Sequence, residues 1–217
     1  MILYLEQGSN DWLDYRENKV TATDFSSIAR RENLIRYAYA KVGIDTHLKS
    51  KKTRGKSNLA MSKGIEYEPI IMTELLKINP CLENLVIVQG NNLASYDAVD
   101  IFSGTIYEIK TSSTTLEKIQ ELIPAYVCQV AHQAYILNDE LCMPTNDMDL
   151  KIYLLRFYDE DGEEKLEWHI TIINITETNV IFECKTLGVY GYLDLNKLKW
   201  LKFCNNFYKH IEKDNIK

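Results

Sequence analysis

Apolar residues along this chain recur at two spacings, and the switches between them mark the elements. Residues 9–30 carry a helical spacing in two pieces. Ser9 or Asn10 can cap a first turn holding Trp12 and Leu13, and a second start at Thr21 to Asp24 leads into Phe25, Ile28 and Ala29. A longer helix is expected from Leu59 to Ile78, stopped by Asn79 and Pro80. Its apolar stripe reads as Ile65, Met72, Leu75 and Leu76. Steps of three and four from Ile65 put Glu68 on that stripe and turn Glu66 to solvent. Leu85 to Gln89 is a short strand, and Leu93 to Phe102 and Thr105 to Thr111 flank Ser103-Gly104 as a hairpin. Pro124 suits the first turn of a helix running through Leu137. Two strands, Lys151 to Tyr158 and Lys165 to Ile175, surround the hairpin signal Asp159-Glu160-Asp161-Gly162. Leu195 to Ile211 reads as an amphipathic helix, with Trp200, Phe203, Phe207 and Tyr208 at helical spacing as core or oligomer contacts. Helices, three strands, a helix, two strands and a helix predict an α/β (α+β) fold: a central mixed sheet with helices packed on it.

Composition narrows the class. A length of 217 residues fits one domain over 1–217, and 14 Tyr, 6 Phe and 3 Trp exclude global disorder. No apolar run approaches ~18 residues, so no transmembrane helix and no membrane partner are expected. The start MILYLEQGSNDW carries Glu6 and Asp11 and no basic residue, unlike a signal peptide. The five cysteines are odd in number and none are at CxxC spacing, which argues against a zinc site or disulfide framework and for a reducing, intracellular compartment.

Charge is uneven. The formal net charge of −6 excludes a wholly basic nucleic-acid coat. Yet Arg30 to Lys56 holds nine cations opposed by Glu32 and Asp45 alone. Lys49, Lys51, Lys52, Arg54 and Lys56 stand in a polar stretch, 48–58, that reads as an exposed loop. Such a segment suits an anionic partner met at one place, or a solvated loop with none.

The chemistry concentrates on Thr105-Ile106-Tyr107-Glu108-Ile109-Lys110. Strand alternation puts Ile106, Glu108 and Lys110 on one face and Tyr107, Ile109 and Thr111 on the other. Glu108 and Lys110 form either a simple ion pair or a metal ligand beside a cation that orients a water. Asp97 and Asp100 lie on the preceding strand and face opposite sides if it is regular, so one of them joins Glu108. Asp97 follows Leu93-Ala94-Ser95-Tyr96, where a lone carboxylate is costly and a divalent cation would remove the cost. Glu68 is a third acid, either a satisfied core carboxylate or a ligand, and Pro69 after it removes a backbone donor. Glu68, Asp97 and Glu108 make an all-oxygen set suited to Mg²⁺ or Mn²⁺ rather than zinc. With Lys110 beside them, the set fits hydrolysis of a phosphodiester by a metal-activated water. His132, on the face of Gln129 and Gln133, reads as a polar neighbour of the site. His47, His169 and His210 read as surface or interface residues.

Asp97, ten intervening residues, then Glu108-Ile109-Lys110 resembles the PD-(D/E)xK nuclease motif, and more narrowly the phage lambda-exonuclease family with its YqaJ-type viral recombinases. Four blocks match in order over about 7–137. Gln7-Gly8-Ser9 with Trp12 to Arg16 and Val20 to Asp24 resembles the family's W-x-x-x-R and T-A-S blocks. Gly64 to Pro69 resembles its G-x-x-x-E-P helix, Asp97 to Lys110 its catalytic hairpin, and Tyr126 to Gln133 its Q-V-x-x-Q helix. The resemblance implies Glu68, Asp97, Glu108 and the Ile109 carbonyl as metal ligands and Lys110 as helper of the nucleophilic water. It further implies Gln129 at the substrate end, and Arg16 and Thr23 at a terminal phosphate; an Arg fork with a hydroxyl at a helix start is a fair phosphate site in its own right.

It also implies a Mg²⁺-dependent exonuclease acting 5′ to 3′ on linear duplex ends, a ring-shaped trimer, a single-strand annealing partner and a viral or prophage origin. Two departures stand out. Ser95-Tyr96-Asp97-Ala98 replaces the family's Ser-Pro-Asp-Gly, which keeps Asp100 as a rival to Asp97, and Thr23 replaces a Ser. Rival readings are another endonuclease of the superfamily, a CRISPR-type end trimmer built on an iron–sulfur cluster, which the cysteine spacing opposes, and a non-catalytic DNA-end-binding or recruiting module.

Overall fold

The computed structural model describes residues 1–5, 9–17, 19–24, 59–90 and 92–194. The basic stretch 48–58, Gln7-Gly8 and the C-terminal segment 195–217 lie outside the described residues. The described elements are β1 (Ile2–Leu3), α1 (Asn10–Glu17), β2 (Val20–Thr21), α2 (Leu59–Ile78), β3 (Glu83–Gln89), β4 (Asn92–Asp100), β5 (Thr105–Ser112), α3 (Leu116–Leu141), β6 (Asp149–Glu160), β7 (Glu163–Ile175), β8 (Asn179–Cys184) and β9 (Val189–Asp194).

The strands form one mixed sheet in the order β1-β3-β4-β5-β6-β7-β8-β9, with β2 attached to β4. The expected α/β architecture is therefore what the chain adopts. β5 and β6 are parallel, and α3 is the crossover between them, which places it on one face of the sheet. From β6 to β9 the sheet is an antiparallel meander. The β6–β7 turn is Asp161-Gly162, both at positive φ (56° and 82°), the two-residue turn whose twist matches the flanking strands.

Several expected boundaries move. The helix expected over 9–30 is broken by 20, because Val20 and Thr21 pair in parallel with Asn92 and Leu93. α3 starts at Leu116 rather than Pro124: Thr115 caps it by accepting from Lys118 N, and Pro124 sits inside. A proline there removes one helical bond. The fully buried Ile119, Ile123 and Val127 on either side anchor the helix to the sheet regardless. β8 and β9 carry no expectation from sequence.

The α3 face holds the larger core, in which Ile119, Ile123, Val130 and Leu137 meet Ile106, Ile152 and Leu154. α2 covers the opposite face over β5. Its buried stripe is Tyr67, Ile71 and Leu75, packed on Ala98, Tyr107, Ile109, Leu155 and Phe157. Ile65 and Leu76, expected on the stripe, are exposed. The helix is rotated so that steps of four from Tyr67 face the sheet, and Glu68 falls at the stripe's margin, half-buried. α2 does not extend over the last strands: Leu166, Trp168, Ile170, Ile172, Tyr190 and Tyr192 are exposed.

Candidate active site

The site forms where the β4–β5 ladder fails. Only Ala98, Val99 and Asp100 pair with β5. On the β3 side, Leu85 faces Tyr96 but Glu83 faces Val99, so Asp97 and Ala98 together oppose the single residue Asn84. This is a β-bulge, a local widening that re-aims side chains. Past it, the Ile109 N–H donates to Asp97 Oδ2 at 2.8 Å, a side chain standing in for the absent ladder partner.

Glu108 is buried on the α3 side of β5, as the alternation predicts. Lys110 Nζ donates to its Oε1, and Gln133 Nε2 on α3 donates to its Oε2 at 2.6 Å. Gln133 Nε2 also reaches the Ser95 carbonyl at 2.9 Å. Lys110 Nζ lies 5.7 Å from the centre of the Tyr126 ring. Gln133 is the residue the sequence reading passed over. Gln129, assigned the substrate end, is half-buried one turn earlier on α3, and it is Gln133 that touches Glu108. The i, i+4 spacing of the two glutamines on one face was the available signal.

Electrostatics tie the acids together. Burial, and then the Glu108 charge, push Asp97 up to about 8 against the opposing pull of Lys110 and the Ile109 N–H. Burial also raises Glu68, with Lys110 pulling it down and Glu108 pushing it up. For Lys110, burial alone would lower the ammonium, but Glu108 and Asp97 outweigh it and hold it above its ordinary value. Glu68 on α2 thus shares one field with Asp97, Glu108 and Lys110. α2 comes close here: a Cβ on Gly64 would sit 3.2 Å from Thr111 Oγ1.

Among the described residues no three acidic, histidine or cysteine side chains stand already gathered as a metal cluster. Glu108 engages Lys110 and Gln133, and Asp97 engages Ile109. The donor chemistry nevertheless fits a hard divalent cation. Three carboxylates and one ammonium leave two negative charges when all are ionised, and burial opposes that state at Asp97 and Glu68.

Asp100, the rival, is occupied otherwise. It accepts from Phe102 N at 3.0 Å, Ser103 Oγ at 2.6 Å and Asn79 Nδ2 at 3.1 Å. Burial alone would raise this carboxyl, but these donors together hold it below its ordinary value. It ties the β4–β5 turn to the end of α2. His132 is fully buried with Nε2 3.3 Å from the Leu93 carbonyl, and burial lowers it to about 4 against the pull of that carbonyl and Asp24, so it stays neutral at pH 7.

A second cluster adjoins the first. Trp12 Nε1 on α1 donates to Ser95 Oγ at 3.1 Å, and the Arg16 guanidinium lies 4.0 Å from the Trp12 ring centre. Burial lowers Arg16 while Asp24 acts in the opposite sense. Asp24 Oδ2 accepts from Thr21 N at 2.9 Å and Thr21 Oγ1 at 2.7 Å, and Thr23 is exposed beside it. Ser95 therefore joins Arg16's platform to Gln133 and Glu108. Lys49, Lys51, Lys52, Arg54 and Lys56 lie outside the described residues.

A family model for the YqaJ-like viral recombinase domain matches residues 11–140. The matched span holds every side chain just described. Neither a curated protein nor a solved structure matches the chain.

Proposed function

The chain belongs to the YqaJ-like viral recombinase domain family, a family of recombination-type nucleases, and on that premise we propose that it is a Mg²⁺-dependent deoxyribonuclease digesting linear duplex DNA from a 5′ end. The observation that carries this reading is the corner at the β4 bulge, where Glu68, Asp97 and Glu108 share one field with a single ammonium. Glu68, Asp97, Glu108 and the Ile109 carbonyl would hold the cation. When bound, Mg²⁺, or Mn²⁺ in its place, would act as a Lewis acid on the scissile phosphate and make water a stronger nucleophile.

The chain's own groups do the rest. Lys110 Nζ orients the attacking water and stabilises the charge that develops on the phosphate oxygens. Gln133 Nε2 fixes the plane of the Glu108 carboxylate. The Arg16 guanidinium, held 4.0 Å from the Trp12 ring centre, would offer its N–H groups to a terminal phosphate beside the Thr23 hydroxyl. Lys49, Lys51, Lys52, Arg54 and Lys56 would add affinity for backbone phosphates, and an annealing protein and a ring of three copies would complete the assembly.

The test is digestion of 5′-phosphorylated linear duplex against closed-circular DNA, with Mg²⁺ and with chelator. Mononucleotide release from the linear substrate only, and only with metal, is expected. Cleavage of the closed circle makes the chain an endonuclease. Binding without digestion of either substrate overturns the enzyme reading in favour of an end-binding module.

A further inference from the structure

α2 carries Glu68 and is tied to the sheet by polar contacts toward both ends. Just past its last residue, Asn79 Nδ2 donates to Asp100 at 3.1 Å. Its first half is tied to the β6–β7 hairpin, and to a single carboxylate there. The Tyr67 hydroxyl donates to Glu164 Oε1, and Lys63 Nζ donates to the same oxygen at 3.2 Å and lies 3.1 Å from Oε2. Lys63 and Tyr67 stand one helical turn apart, with Nζ 5.2 Å from the Tyr67 ring centre, so Glu164 closes a three-residue cluster on one side of α2. Lys63 also pairs with Glu66 of its own helix at 3.3 Å.

We infer that Glu164 is a positioning residue for the proposed cation site: by holding Tyr67 it sets the rotation and height of Glu68, the next residue of α2. The inference rests on the reading of Glu68, Asp97 and Glu108 as that site. Three observations carry it. The first is rigidity. Consecutive helical residues differ by about 100° of turn and about 1.5 Å of rise, so a contact that fixes Tyr67 carries Glu68 with it. Tyr67 is buried, whereas Glu68 stands at the half-buried margin. The second is the choice of side chain. The Tyr67 ring packs on Phe157 at 5.9 Å between centres, a task phenylalanine would serve equally. The hydroxyl adds only the bond to Glu164. Glu163, beside it at the hairpin tip, turns instead to Lys165 of its own strand at 2.6 Å. The third is location. Glu164 lies outside the matched span 11–140, in a part of the chain that supplies none of the site's acids.

A partly exposed ion pair adds little to stability. Its consequence is instead alignment, as with other outer partners that orient a ligand without touching the metal.

The full chain tests it through Tyr67→Phe, Glu164→Ala and the neighbouring Glu163→Ala. Mg²⁺ binding to the metal-free chain is read by calorimetry without DNA. Tyr67→Phe and Glu164→Ala should each weaken it by about tenfold, and Glu163→Ala should leave it at the parent's value. Tyr67→Phe alters no charge, so its loss cannot come from a changed field. In digestion of linear duplex, the first two variants should be slow at limiting Mg²⁺ and return to the parent's rate at saturating Mg²⁺. Their DNA affinity in chelator should match the parent's. Parent-like Mg²⁺ binding by both variants overturns the inference and leaves the nuclease reading standing. So does a rate that stays low at saturating Mg²⁺. A parent chain that neither binds Mg²⁺ nor digests DNA overturns the cation site itself, and this inference with it.

Discussion

β4 and β5 share three cross-strand pairs, whereas β6 and β7 share eleven without interruption, from Leu150↔Ile173 to Glu160↔Glu163. The short ladder has a bulge, a carboxylate in place of a backbone partner, and three acids around one lysine. The long ladder lines the core with Leu150, Ile152, Leu154 and Ile173 and ends in a regular two-residue turn. The two regions divide the work of the sheet. Regular pairing holds the fold together, and interrupted pairing frees polar groups for the proposed site.

The sharpest test of that division lies within one strand. Asp97→Ala should lower cleavage at least about a thousandfold, a loss of roughly 4 kcal/mol in barrier terms, and leave DNA affinity in chelator unchanged. Asp100→Ala should leave the rate near the parent's and lower stability by about 1–3 kcal/mol, because its donors at the turn lose their acceptor. The reverse pattern in cleavage assays and denaturant melts would move the site off the bulge. The same pair separates by pH. Asp97 titrates near 8 in the fold, above its unfolded value, so the metal-free chain loses stability as pH rises from about 4 through 8. Asp97→Asn removes that loss, and its stability advantage over the parent should widen across the window. A constant gap between pH 4 and 8 would break the assignment of that titration.

Lys110→Ala comes next, with turnover falling on the order of a hundredfold or more at saturating Mg²⁺. Metal affinity should not fall, because a cation near the ligands opposes binding of another. Full rescue of the rate by added Mg²⁺ would count against its role on the water. Gln133→Ala should cost about tenfold in turnover, since Glu108 and the Ser95 carbonyl both lose their donor. A parent-like rate would return Gln133 to the core. The smallest effect on turnover belongs to the long ladder: Ile173→Ala should lower stability by about 2–5 kcal/mol and leave the rate per folded molecule intact. A changed rate would show that the two regions are coupled.

How much of this the sequence discloses follows the same division. Alternation along Thr105 to Lys110 placed Glu108 and Lys110 on one face and Tyr107 and Ile109 on the other, as found. The Ser103-Gly104 and Asp161-Gly162 turns carried their own residue signals. The bulge did not, because one extra residue leaves composition unchanged and shows only in the register with β3. Thus Asp97 and Asp100 could be separated only by what surrounds them. On α2, apolar residues occupy several sides, so the stripe starting at Ile65 was as consistent with periodicity as the true one at Tyr67, and packing on Phe157 decided between them. Pro124 looked like a beginning because proline fits first turns best, while the cap that starts α3 is Thr115, eight residues after Tyr107. β8 and β9 escaped notice because outward Tyr190, Tyr192 and Ile181 blur the apolar–polar alternation that marks a half-buried strand.

Gly64 gives the corner a mechanical property. It lies one helical turn before Glu68, where α2 rests nearly against Thr111. The helix behaves as a cantilever whose height above β5 is set by one absent carbon. Gly64→Val should therefore weaken metal binding in a calorimetric titration while helix content stays at the parent's level. A side chain at 64 acts as a shim under the arm, and it would draw Glu68 out of register with Asp97 and Glu108 without altering a single charge.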